Sequence, residues 1–477
     1  MPLPLILREE VHFESGGFLS QQLVNTSKRS DEAPPHLKRV LTLWDLILYG
    51  IVLIMPIAAV PLFGVVQKRS DGHAVTTILL AMVAMMLTAF SYGRMAAVYP
   101  SAGSAYTYVG YGLNPHLGFL AGWAMFLDYL LIPLLCTVYG ALTVQRLVPE
   151  VPYVVLAAAF AGTMTLINLR GIRTTARTNF VLATIMSAVI LVFIVLAVRF
   201  LFHHQGWPGV FSIQPFYVPA TFHVSSIAVG TSVAALTYIG FDGITTLAED
   251  AINPRRNVLL ATVGVCLFTG LFGGLQIYLA QRVWPNYHTF PNLETAFMDV
   301  TRVVGGKVLF QALAGILILA NLGSGLSGQA GVSRLLFGMG RDNVIPRRFF
   351  AYLDPKRNTP SFNIVMVGLI AFLGAIVLNY ERAAELINFG AFLAFMGVNA
   401  AALREFYLKR PSRSVRRLFA DAVAPVVGLL FCLAIWLSLP TPAKILGACW
   451  FIVGTAYDAV KTRGFKERPA QLDFREP

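Results

Sequence analysis

The chain has 477 residues, 56% of them hydrophobic and only 13% charged, with a mean hydropathy of +0.66. So much apolar side chain excludes a water-soluble multidomain protein and fits an all-α integral membrane protein. The net charge of +13 does not call for a nucleic-acid partner, because most Lys and Arg fall in tails and loops that successive spans place on one side, the positive-inside pattern.

In chain order, residues 1–40 are polar, carry Pro34-Pro35 and show no helical period or signal-peptide pattern. They read as a cytoplasmic tail, and the first span is expected to stay as an uncleaved anchor. Stretches of about twenty mainly apolar residues follow, at 43–66, 74–97, 117–147, 153–170, 178–202, 225–249, 257–283, 307–338, 362–380, 384–408, 420–439 and 444–461. The expectation is therefore about 12 transmembrane helices in the lipid bilayer of the cytoplasmic (inner) membrane, with both termini cytoplasmic. The third and eighth stretches exceed a perpendicular crossing and imply tilt. Spans eleven and twelve occupy 409–463, and 464–477 form a second cytoplasmic tail.

Two spans carry helix-breaking patches. In the first, Tyr49-Gly50-Ile51-Val52-Leu53-Ile54-Met55-Pro56 ends on a proline that removes a backbone donor and disfavours helix before it. Carbonyls freed near Ile54 and Met55 are candidates to hold a cation, and amides near Ile57 and Ala58 to hold a carboxylate. In the sixth, Tyr238-Ile239-Gly240-Phe241-Asp242-Gly243 loosens the backbone around an acid. Irregular backbone at membrane depth is tolerated where it lines a cavity, so the two breaks predict a central substrate site of a secondary transporter.

An ionisable side chain inside a span costs about 2.5–3.5 kcal/mol on insertion scales. Asp242 is accordingly expected to face a substrate ammonium, with Phe241 covering it by a cation–π contact; a carboxylate satisfied by nearby amides is the structural alternative. Asp128 and Tyr129 lie mid-way along the third span. Tyr129 is a candidate amine contact, and Asp128 a candidate to hold a proton or to brace a neighbouring helix. Glu249 ends the sixth span beside Arg255 and Arg256, as a solvated helix end or a cytoplasmic gate. The four cysteines all fall within spans, without metal-ligand spacing, and no metal site is expected. All eight histidines lie in tails, loops or span edges, so neither a histidine relay nor the clustered constellation of a membrane-embedded enzyme is visible. A channel filter motif is also missing.

Longer stretches carry a resemblance: Ser91-Tyr92-Gly93; Pro100 to Tyr108; Asn114-Pro115-His116 with Gly122-Trp123 and Leu127-Asp128-Tyr129; Gly240-Phe241-Asp242 with Thr245-Thr246-Leu247; Val332 to Leu336 with Met339 to Val344; and Leu386 to Ala391. On these the chain resembles the amino acid-polyamine-organocation (APC) superfamily, and within it the bacterial putrescine importers. The resemblance implies a LeuT-like fold with a 5+5 inverted repeat, about 41–202 and 225–408 within a ten-helix core of 41–408, and with helices 1 and 6 broken. It implies ion-coupled alternating access importing an amine or amino acid, driven by a proton or sodium gradient, with exchange of amino acids as the alternative. One departure is Pro61, where the putrescine-importer pattern tends to carry an acid; a different amine or an amino acid becomes more credible. In the eighth span, the small-residue run including Ser324 and Ser327 reads as a packing face, and by resemblance either serine is a candidate sodium ligand. Asn388 and Phe389 are candidates for an outer gate. The fifth span lacks the lysine that some proton-coupled relatives place there.

Overall fold

The computed structural model describes residues 40–100, 104–171, 176–248, 250–341, 345–355, 357, 359–409, 418–467 and 469. The tail at 1–39 and Glu249 lie outside the described residues. Among those described there is no strand, only one isolated bridge between Leu41 and Ala251 that ties the start of the first helix to the segment after the sixth.

Nine helices are long and apolar enough to cross a membrane among the described residues, and three shorter apolar helices accompany them. In order the main helices are α1 (Leu43–Ile54), α2 (Phe63–Arg69), α3 (Ala74–Val98), α4 (Ser104–Gly112), α5 (Pro115–Leu147), α6 (Tyr153–Leu169), α7 (Ala176–Gln205) and α8 (Val224–Ala234). They continue with α9 (Pro254–Val283), α10 (Ala296–Arg341), α11 (Ser361–Val377), α12 (Tyr380–Leu403), α13 (Ala424–Leu437) and α14 (Thr441–Lys461). The capping box of Thr42 and Asp45 starts α1 by satisfying exposed amides at its N-terminus.

Two departures from helical geometry shape the centre. After α1 the backbone reaches φ 70° at Met55, and Pro56 gives no amide, so the chain turns through Ala58 N–H to Met55 O (3.1 Å) before the short helix Val60–Leu62 and α2. After α8 a tight turn at Ala235–Tyr238 gives way to extended Ile239 and to Gly240 at φ 115°, and a second tight helix covers Phe241–Leu247. Only glycine adopts that last angle without strain.

The helices α3 and α9 pack along one another, and α5 lies against both α10 and α12. One difference from the sequence reading concerns α10. Its first ten residues form a helix where only a polar connection was expected, and Gly306 (φ 64°) separates them from the long span that follows. Asp299 and Arg302 make this piece too polar to read as a span, yet it is helical and ion-pairs through Asp299 with Arg146 of α5. Among the cysteines, Cys136, Cys266 and Cys432 are buried, whereas Cys449 is exposed on α14.

Candidate functional site

The short helix after Gly240 carries the acid. Thr245 Oγ1 donates to Asp242 O (2.6 Å) and Thr246 Oγ1 to Gly243 O (2.7 Å), so hydroxyls satisfy carbonyls that a regular α-helix would use. Asp242 is 3% exposed, its carboxylate sits against the amides of the Gly240–Gly243 turn, and its Oδ2 has no hydrogen-bond partner. Phe241 is fully buried, edge-on to Tyr92 at 5.4 Å and tilted against Phe395 at 5.2 Å. Tyr92 meets Tyr108 edge-on at 5.9 Å, which completes an aromatic wall beside the acid.

Across from it, α5 presents a second buried acid. Asp128 is also 3% exposed and its Oδ1 is unpartnered, while Tyr129 is half-buried. Asp242 interacts electrostatically with Asp128, Tyr129, Tyr92, Tyr108 and Tyr49. Among the described residues no Lys, Arg or His pairs with either carboxylate. Two neighbouring buried carboxylates repel, an arrangement chemically able to hold an ammonium, a proton or a small cation.

The first-span break lies against the sixth. Gly243 packs where an added Cβ would collide with Leu53, and Gly240 lies 3.5 Å, from the same ideal position, from Leu53 and Ile54. Ile54, Pro56 and Ile57 are buried, and Met55 and Ala58 half-buried. Gln276 of α9 donates to Pro56 O at 2.9 Å, and the Ala58 amide is engaged with Met55 O. Of the backbone groups expected to face ligands, the Ala58 amide and the Met55 carbonyl are therefore bonded to one another. Pro61 sits half-buried in Val60–Leu62.

The remaining candidates are more dispersed. Ser324 hydrogen-bonds Cys136 of α5. Ser327 is exposed, one turn before Gly331, which lines a cavity. Asn388 donates to Ser232 O at 2.6 Å and so joins α12 to α8, with its own Oδ1 unpartnered. Phe389 packs at 5.1 Å on Trp436 of α13 instead of joining the aromatic wall around Asp242. The cavity holds about 240 Å³ and lies between α4, α5, α10 and the 241–247 helix, with Tyr129 and Thr246 among its lining residues. At the opposite end of the bundle Arg69 of α2 pairs with Glu381 and Glu385 of α12.

Tyr49, Tyr92, Tyr108 and Gln276 belong to the site's surroundings without having been singled out by role. Tyr92 and Tyr108 lie within the motif stretches, and a phenol or amide inside an apolar span was the signal available.

A family model described as amino acid permease matches residues 41–460. The chain is 33% identical over 441 residues to the low-affinity putrescine importer PlaP of Escherichia coli (strain K12), covering 92% of this chain and 96% of that protein. It is 27% identical over 454 residues to the branched-chain amino acid permease BcaP of Lactococcus lactis subsp. cremoris (strain MG1363), with 89% and 95% covered. It is 28% identical over 395 residues to the vacuolar cationic amino acid transporter 4 of Arabidopsis thaliana, with 78% and 64% covered. A match of this extent, on a multi-pass helical membrane protein, shows that the chain belongs to the amino acid permease family.

Proposed function

We propose that this permease imports a small amine, a polyamine such as putrescine or an amino acid, across the cytoplasmic membrane by alternating access coupled to a proton or sodium gradient. In this reading twelve helices span the bilayer, the first ten forming LeuT-like inverted repeats, and both termini face the cytoplasm. Substrate binds between the breaks at Met55–Ala58 and Ile239–Gly243.

The observation that carries the reading is the pair of buried acids, Asp128 and Asp242, each with an unpartnered oxygen and neither matched by a cation among the described residues. An ammonium would supply the missing charge and donate to both, while Tyr129 and Phe241 offer ring faces to it. A proton or sodium ion taking one carboxylate while substrate takes the other would couple the two. The Arg69–Glu381 pair would close the outer end, and the 240 Å³ cavity would be the cytoplasmic exit.

The test is uptake of labelled putrescine and a panel of amino acids by proteoliposomes of the purified protein, with proton and sodium gradients imposed separately. Gradient-driven accumulation of an amine supports the reading. Uptake that requires internal amino acid and ignores both gradients replaces import with exchange.

A further inference from the structure

The cavity that reaches Tyr129 takes its polar side chains from Ser104, Tyr106, Tyr129 and Thr246, and its surface is mostly carbon. One wall is Phe119, Trp123 and Phe126 of α5, and the other is Val332, Leu335 and Met339 of α10.

The aromatic wall is held from behind. Trp123 Nε1–H donates to Trp450 O of α14 at 3.0 Å, and Trp450 Nε1–H donates back to Trp123 O at 3.1 Å. The two indoles stack at 4.8 Å, and Phe126 stacks on Trp450 at 5.8 Å. Both indole donors are thus spent on backbone, and the wall offers faces and edges without a hydrogen-bond donor from Trp123. A second ammonium pointed into this space would exchange its water for ring faces and the Tyr106 phenol, with no carboxylate to pair it. An aromatic ring would gain contact on both sides, and an apolar cavity of about 150 Å³ already accepts benzene. The larger volume here leaves room for a ring with a short linker.

The geometry points to arylalkylamines, one ammonium on a short chain bearing an aromatic ring, as ligands of this permease: ammonium at Asp128 and Asp242, ring between the α5 and α10 walls. The inference rests on the amine reading above and narrows it. It also fits Pro61, since a ligand with one charge has no use for a further acid in the first span.

Gly331 lines the cavity on α10, and a Cβ added there meets no atom within 4 Å. Gly331→Leu therefore fills the ring's space without displacing backbone, and Leu335→Phe fills it from the next turn. Binding of labelled phenethylamine and labelled putrescine to the full-length protein in detergent is measured for wild type and each variant, with melting temperature as the folding control. Wild type is expected to bind phenethylamine, and each filling variant to lower the phenethylamine-to-putrescine affinity ratio about tenfold or more, the scale of a misfitted apolar pocket. An unchanged ratio in a folded variant overturns the proposal, as does wild type that binds putrescine and not phenethylamine. If wild type binds neither amine but does bind an amino acid, the amine reading itself falls and takes this inference with it.

Discussion

In the proposed site Asp242 and Tyr129 would offer a ligand different things, and their substitutions should differ in kind. Asp242 supplies charge at a buried position, and a hydrogen bond to a charged group contributes about 1.5–3 kcal/mol. Asp242→Asn should therefore weaken amine binding by about tenfold or more, and an unchanged dissociation constant for putrescine and phenethylamine would remove Asp242 from the site. Tyr129→Phe keeps the ring and loses one hydroxyl, so its expected loss is smaller, about 0.5–1.5 kcal/mol, read in the same titration. Asp242 stood out in the sequence because an acid inside an apolar span is costly without a role, and Tyr129 because it follows Asp128 mid-way along the third span. Tyr92 and Tyr108 did not, because a buried ring is ordinarily packing; only the fold brings them to Phe241 and Asp242. Asn388 was visible as a polar residue in a span, but its partner, the Ser232 carbonyl of α8, is 156 positions away.

At the level of elements, the two breaks were legible because proline and glycine act locally. What holds them was not, since Gln276 reaches Pro56 O from a helix 220 positions on. Without water at that depth, the carbonyl freed by the break needs a donor. Gln276→Leu leaves it unpaired at a cost of about 1–3 kcal/mol, and the expected result is a lower melting temperature together with slower uptake. A variant that melts and transports like wild type would show that the clamp is dispensable. Gly240→Ala places a side chain at φ 115°, and left-handed backbone costs an L-residue about 1–2 kcal/mol. Its melting temperature should fall even though the nearest atoms to the new Cβ are 3.5 Å away, which separates strain from crowding. The helix at the start of α10 escaped the sequence reading for the opposite reason: its charges suit an interface and hide it from a search for long apolar runs.

For the whole molecule, the two ends are unlike. One is bound by Arg69 with Glu381 and Glu385, and the other contains the cavity that reaches Tyr129. Under the alternating access and orientation proposed above, this would be a conformer closed outside and open inside. With Cys449 replaced, a cysteine at Gly331 should react with a membrane-impermeant thiol reagent from the cytoplasmic side only, as tested in inside-out and right-side-out vesicles. Adding Arg69→Gln should shift the population and lower that cytoplasmic labelling; labelling unaffected by Arg69 would show that the ion pair does not hold the outer end. Apolar stretches and the charge bias made the membrane class readable from composition alone. Twelve stretches correspond to nine long helices and three short ones among the described residues, because the first span is split at Met55 and α6 and α11 have only 17 residues each.

The paired indoles of Trp123 and Trp450 have an optical consequence. Indole emission responds to the polarity around the ring and to quenchers that touch it, and this pair joins the last helix to the cavity wall with both N–H groups committed to each other's backbone. Opening the wall would expose at least one ring to water and shift its emission to the red, whereas an aryl group seated against Phe126 and Trp123 would alter it without that shift. The permease thus carries a native fluorophore where wall movement and occupancy by the proposed ligand would give different spectra.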